Sequence, residues 1–105
     1  MIARRWSARV RASNLDAYES HFKTLVMPEL SALSGFLGAS IMRRDSGGDD
    51  VPSLEIVVET RWQSMEAIRS FAGNDVGAAV VEPAAAAVLE EYDRRVTHFE
   101  VIADL

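Results

Sequence analysis

The stretch "RWQSMEAIRSFAG", residues 61–73, decides the fold. A strand runs out in Trp62, Ser64 stands at a helix cap position, and a short helix runs to Gly73. A serine hydroxyl there accepts an amide that has no partner inside the helix, and Glu66 suits the positive helix end. Met65, Ile68 and Phe71 fall on one face and form its buried edge. Upstream, "SLEIVVETRW" (53–62) alternates: Leu54, Ile56, Val58, Thr60 and Trp62 share one face, with Glu55, Val57, Glu59 and Arg61 opposite. That period of two is the signature of a strand with one buried side.

The same pattern recurs at both ends of the chain. In "IARRWSARVR" (2–11), Ile2, Arg4, Trp6, Ala8 and Val10 share one face. In "RVTHFEVIA" (95–103), Val96, His98, Glu100 and Ile102 oppose Thr97, Phe99, Val101 and Ala103. Between the first strand and residue 35, Leu15, Tyr18, Phe22, Leu25 and Val26 recur at helical spacing after a start signal at Ser13 or Asn14. Pro28 lacks an amide proton, so a kink or break is expected near Met27, with Gly35 as C-cap. "FLGASIMRR" (36–44) reads as a strand with Leu37, Ala39 and Ile41 on one side and Phe36 and Met42 on the other. The polar "DSGGDDVP" (45–52) is a hairpin link. "NDVGAAVV" (74–81) is compatible with a further helical turn, and Pro83 opens a helix through "AAAAVLEEY" (84–92).

The order βαββαβ predicts one α+β domain over residues 1–105, ferredoxin-like, an antiparallel sheet with its helices on one face. Strands two and four carry apolar groups on both sides, so a second copy is expected to cover the bare sheet face. The expected assembly is a homodimer whose two sheets form a closed α+β barrel.

Composition narrows the function classes. The net charge of −5 argues against nucleic acid as the main partner. With no Cys, disulfides, thiolate chemistry and zinc–sulfur sites are excluded, which fits a cytoplasmic protein. No apolar run reaches the ~18 residues of a membrane span, so no membrane partner is expected. "SGG" is followed by no GK[ST] and is not a phosphate loop; "DSGGDD" lacks the spacing of a calcium loop. His21 and His98 are too few for a convincing metal site.

Five aromatic or basic positions and two histidines remain to be weighed. Trp62 is a wall of an aromatic pocket or a core residue with its N–H bonded to a carbonyl; aromatics at element joints are more often core. Trp6 shares its face with Arg4, and a cation on an apolar strand face needs a partner or a ligand. Arg4 either holds a phenolate or carboxylate or snorkels at the strand end. Tyr18 and Phe22 project from the first helix toward the same side. His98, two residues before Glu100, is a general base for a phenolic proton or a satisfied structural histidine. His21 lies at the margin of the apolar stripe and reads as a boundary residue.

With "IARRW" at the start, "SMEAIRSFAGND" and "AVVEP" after the third strand, and "VTHFEV" near the end, the chain resembles antibiotic biosynthesis monooxygenase-like domains of the dimeric α+β barrel superfamily. The resemblance covers nearly the whole chain and implies a pocket between sheet and helices in each subunit. Some members oxidise aromatic polyketides with no metal or flavin. Others degrade haem with an Asn on the first strand, a Trp in the helix after the third strand and a His soon after. None of those three stands here, which disfavours haem degradation. The resemblance thus implies a cofactor-independent monooxygenase for a small aromatic or quinol-like compound, with Trp6, Tyr18, Phe22 and Trp62 shaping the pocket, His98 as base and Arg4 steadying the anion. The alternative is a non-enzymatic small-ligand-binding or stress-related dimer of the same fold.

Overall fold

Residues 1–45 and 52–105 are described by a computed structural model. The chain runs β1 (Ile2–Arg11), α1 (Leu15–His21), α2 (Met27–Ser31), β2 (Phe36–Asp45), β3 (Ser53–Trp62), α3 (Met65–Ala72), α4 (Pro83–Ala86), β4 (Glu91–Tyr92) and β5 (Thr97–Glu100). The antiparallel sheet has the order β2-β3-β1, with β4 and β5 both on the far edge of β1. This is the ferredoxin-like α+β fold. Its fourth strand is in two pieces, β4 on Ala8–Arg9 and β5 on Ile2–Arg5.

The alternation read in the first and third strands matches their facing in the sheet. Ile2, Arg4, Trp6, Ala8 and Val10 face Trp62, Thr60, Val58, Ile56 and Leu54 across the ladder. Both rows meet the helices. Val10, Ile56, Trp62, Leu30 of α2 and Ile68 of α3 are fully buried and form the centre of the core.

β2 departs from the expected facing. A bulge lies between Phe36 and Gly38, so Phe36, Ala39 and Ile41 pack on the core and Leu37 is left exposed. An extra residue in a strand reverses the side-chain alternation beyond it. Gly38 takes a positive φ of 154° at this point. Gly35, three residues after the helix cap at Ala32, is not itself the C-cap. It has φ 88°, and an added Cβ would stand 2.6 Å from the Ala67 Cβ of α3. Its carbonyl accepts the Gln63 amide at 2.8 Å, which ties the entry of β2 to the exit of β3.

The first helical region holds together across Pro28. Residues Phe22–Val26 widen into a π turn, and the Met27 amide bonds to the Phe22 carbonyl five residues back. The wider turn relieves the proline without a break. Asn14 occupies the cap position of α1, but its side chain accepts no amide; a single 3₁₀ turn, Ala12–Asn14, leads in. Ser64 does cap α3, accepting the Ala67 amide at 3.2 Å, and Gly73 ends it at φ 82°.

Two expectations after α3 are corrected. Residues 74–81 add no helix; they form a strap bonded to the segment before β5, through Ala79 N to Arg94 O and Val96 N to Gly77 O, both 2.9 Å. The Asp75 carboxylate clamps the strap to the Arg95 guanidinium at 2.7 and 3.1 Å. The alanine run makes one turn of helix and stops, and Glu91–Tyr92 pairs with β1. Glu90 N bonds Arg9 O at 2.8 Å, so edge pairing prevails over the helix propensity of alanine.

The outer sheet face is more polar than expected. Arg5 and Arg61 flank Glu59 at 2.8 and 3.2 Å, and Arg44 pairs with Glu55. Exposed Met42 and Phe99 lie at the margins, with the Arg5 guanidinium 5.7 Å from the Phe99 ring centre. The hairpin expected at 45–52 lies, over 46–51, outside the described residues. Among the described residues, no helix is long and apolar enough to cross a membrane.

Candidate functional site

A cavity of about 70 Å3 lies between the sheet and the helices, under the strap. β1 supplies Arg4 and Trp6, β3 supplies Val58 and Thr60, α1 supplies Tyr18 and His21, and Phe22 follows. The strap closes the far side with Val80 and Val81, and Glu82 follows at the cap position of α4.

Arg4 is the dominant polar group. It is 4% exposed, and among the described residues no carboxylate pairs with it. Its Nη1 donates to the Val76 carbonyl and to His98 Nε2 at 3.0 Å, and its Nη2 donates to the Ala78 carbonyl at 2.9 Å. The Phe71 ring centre lies 5.8 Å from the guanidinium carbon. Burial pulls the Arg4 pKa down to about 10. A buried cation held by carbonyls, an imidazole and a ring has positive potential left over for an anion.

His98 enters through this contact. β5 pairs it with Arg4 in register. A guanidinium has donors only, so His98 Nε2 must be the acceptor and the ring is neutral with its proton on Nδ1. Burial, and then the Arg4 charge, hold the His98 pKa below its usual value. The lone pair that a general base would use at Nε2 is therefore engaged, and His98 backs Arg4 from outside the cavity lining.

The aromatic residues divide. Trp6, Tyr18 and Phe22 line the cavity with Arg4. Trp6 stacks on Tyr18 at 6.3 Å, tilts against Tyr92 at 6.2 Å and donates from Nε1 to the Asp93 carbonyl at 2.7 Å. Burial pushes the Tyr18 phenol up, so at neutral pH it is a donor and not a base. Trp62 lies behind the wall, fully buried between Phe36 and Phe71, with its N–H donated to the Thr60 hydroxyl at 2.8 Å.

Two polar groups of the cavity fall outside the candidates chosen from sequence. His21 Nε2 is buried and has no hydrogen-bond partner. Glu82 Oε2 lies 3.8 Å from it. His21 sits one turn beyond Tyr18 on the same helical face, the one signal that could have placed it in the pocket. A wider groove between α1 and β2 is solvent-exposed and holds the Lys23–Glu19 ion pair. Among the described residues, no group of three or more His, Cys, Asp or Glu is placed to hold a metal.

The family model for antibiotic biosynthesis monooxygenase matches residues 1–83. The chain belongs to the antibiotic biosynthesis monooxygenase family. Among curated proteins no sequence matches it. Of the solved structures, a variant of MhuD with two manganese protoporphyrin IX per active site is 21% identical, with a TM-score of 0.70 over 100% of this chain and 98% of that one. MhuD from Mycobacterium tuberculosis, a haem degrader with two haems bound in its active site, is 21% identical with a TM-score of 0.66 over 100% and 99%. A putative antibiotic biosynthesis monooxygenase from Bacillus cereus is 16% identical with a TM-score of 0.67 over 100% and 94%. These likenesses establish the shared fold.

The cavity, about 70 Å3, is far below the ~300–1,000 Å3 of ordinary ligand pockets, so any ring-sized ligand must widen it. His98 Nε2 is taken by Arg4, and the wall that α3 presents is Phe71.

Proposed function

We propose that this family member is a cofactor-independent monooxygenase for a small aromatic or quinol-like compound. The observation that carries the reading is the buried Arg4 guanidinium, which no carboxylate pairs among the described residues, on the wall of a cavity lined by Trp6, Tyr18, Phe22 and Phe71. Such a site suits a ring that carries a negative oxygen. An electron-rich ring, once deprotonated, can itself reduce oxygen; the substrate gives up two hydrogens and their electrons, one oxygen atom enters it and the other leaves as water with those two hydrogens. The chain would then bind the ring, hold the anion at Arg4 and exclude bulk water. Of the roles open to His98, holding Arg4 in place fits its engaged Nε2 better than removing the proton.

The test is oxygen uptake with hydroquinones and anthrone-type phenols. Turnover that falls at least tenfold in Arg4→Met supports the reading; no uptake with any of them overturns it. The small cavity favours a second reading, a non-catalytic small-ligand-binding dimer. In that case the same compounds bind without oxygen uptake.

We also infer a homodimer joined through the outer sheet face. Its support is the exposure of Met42 and Phe99 there, and one further solved structure of this fold, 13% identical, is described as a dimeric ferredoxin-like protein. A single-subunit mass by light scattering at micromolar concentration would rule the pairing out.

A further inference from the structure

The cavity has a second polar end. His21 Nε2 is the buried side-chain atom among the described residues that lacks any hydrogen-bond partner. The His21 side chain is 9% exposed and lines the same cavity as Arg4. The two approach from opposite layers, His21 from α1 and Arg4 from the sheet. An orphaned buried nitrogen carries an uncompensated desolvation cost, so its persistence calls for an atom that meets it when the site is filled.

Glu82 completes the pair. It precedes α4, and its backbone carbonyl accepts the Ala85 and Ala86 amides, both at 3.0 Å. Its side chain makes no cap bond, and Oε2 stands 3.8 Å from His21 Nε2. That spacing is too long for a hydrogen bond and close enough to steady an imidazolium. The charged or titratable groups around His21 in the cavity are Glu82 from the α4 cap, Arg4 from β1 and Tyr18 from α1. Tyr18 stays a neutral phenol through burial, and Arg4 cannot accept a proton.

We propose that His21, backed by Glu82, is the proton acceptor of this cavity, and that the ligand is an aromatic ring with a hydroxyl at one end and a conjugated oxygen at the other. The inference rests on the reading of the cavity as an aromatic-ligand site. The hydroxyl O–H breaks and its proton goes to His21 Nε2. The electron pair stays on the ligand and spreads through the ring to the far oxygen, which Arg4 holds. The new imidazolium faces the Glu82 carboxylate, so both charges created by the transfer have a counter-charge. The cavity, about 70 Å3, is roughly half the ~150 Å3 of an apolar cavity that takes benzene, so the strap must give way to admit the ring.

4-Nitrophenol is a suitable probe, because its yellow band reports its own ionisation. The full chain, labelled with ¹⁵N at histidine, is titrated at a mildly acidic pH where the free dye is mostly protonated. The expected result is saturable binding with a phenolate band, His21 ring nitrogens moving to imidazolium values, and His98 unchanged. Glu82→Gln should cut the ionised fraction of bound dye about tenfold. His21→Phe and His21→Gln should bind the dye in its protonated form. Equal ionisation in both His21 variants, or a His21 ring that stays neutral while the dye ionises, overturns the assignment and leaves the aromatic site standing. No binding to the unmodified chain overturns the aromatic site and the assignment together.

Discussion

Replacing Arg4 by Met separates the two things this side chain does. Burial pulls its pKa well below the usual guanidinium value, to about 10. At ~1.4 kcal/mol per tenfold in acidity, holding the charge at neutral pH costs about 3 kcal/mol. Because the folded pKa is depressed, that cost is present in full below pH 10 and is relieved as pH rises above about 10. Met removes it and fills similar volume. Met also strands three acceptors: the Val76 and Ala78 carbonyls and His98 Nε2. At about 1 kcal/mol each, the low end where a cavity admits water, their loss is also about 3 kcal/mol. The terms nearly cancel, so stability should change by less than about 2 kcal/mol, or ~8–16 °C in Tm. Binding of 4-nitrophenolate should fall at least tenfold, and the His98 pKa, freed of its charged neighbour, should rise toward its usual value. Urea melts, dye titration and histidine NMR read the three outcomes. A loss above ~4 kcal/mol with unchanged dye affinity would refute the reasoning and make Arg4 a structural residue.

Three further outcomes follow from the geometry. Gly35→Ala combines a left-handed backbone with a 2.6 Å approach to Ala67; it should destabilise by about 2–5 kcal/mol in thermal unfolding. Ala67→Gly in the same chain should recover the clash but not the backbone strain. The Arg95 hydrogen bond holds the Asp75 pKa below the usual carboxylate range, so the clamp on the strap is present at neutral pH and lost as pH falls through that lowered value; Asp75→Asn should lower the amide protection factors of Ala79 and Val96 at pH 7 to those the unmodified chain shows only in acid. With the Asn, Trp and His of the haem pattern absent, haemin should give no saturable Soret shift; a stoichiometric one would reverse that reading.

The strands were the most legible part of the sequence. In β1 and β3 every second residue is apolar or belongs with apolar neighbours, so the facing of each strand follows from the pattern alone. β2 was misread on facing, because a bulge at Leu37–Gly38 leaves no mark in composition beyond the glycine itself. The helix expected at 84–92 failed for a different reason. Alanine favours helix locally, but Glu90 and Tyr92 meet an open edge of β1 that only the tertiary fold supplies. In the cavity, Arg4 was visible as a charge out of place on an apolar row, and Trp6, Tyr18 and Phe22 as neighbours on converging faces. Trp62 carried the same signal as Trp6 yet lies behind the wall, since depth within a core is not encoded in alternation. His21 looked marginal because its counterpart, Glu82, stands far along the chain and next to a proline.

Side-chain NMR of the chain with 4-nitrophenol tests the cavity most directly. If the ring enters between sheet and helices, the Trp6 indole N–H and the Arg4 guanidinium signals move together and saturate, while the Trp62 indole, sealed behind Phe71, moves far less. Shifts confined to the outer sheet face around Met42 and Phe99 would mean that aromatic ligands bind elsewhere and that the Arg4 cavity is not a ligand site.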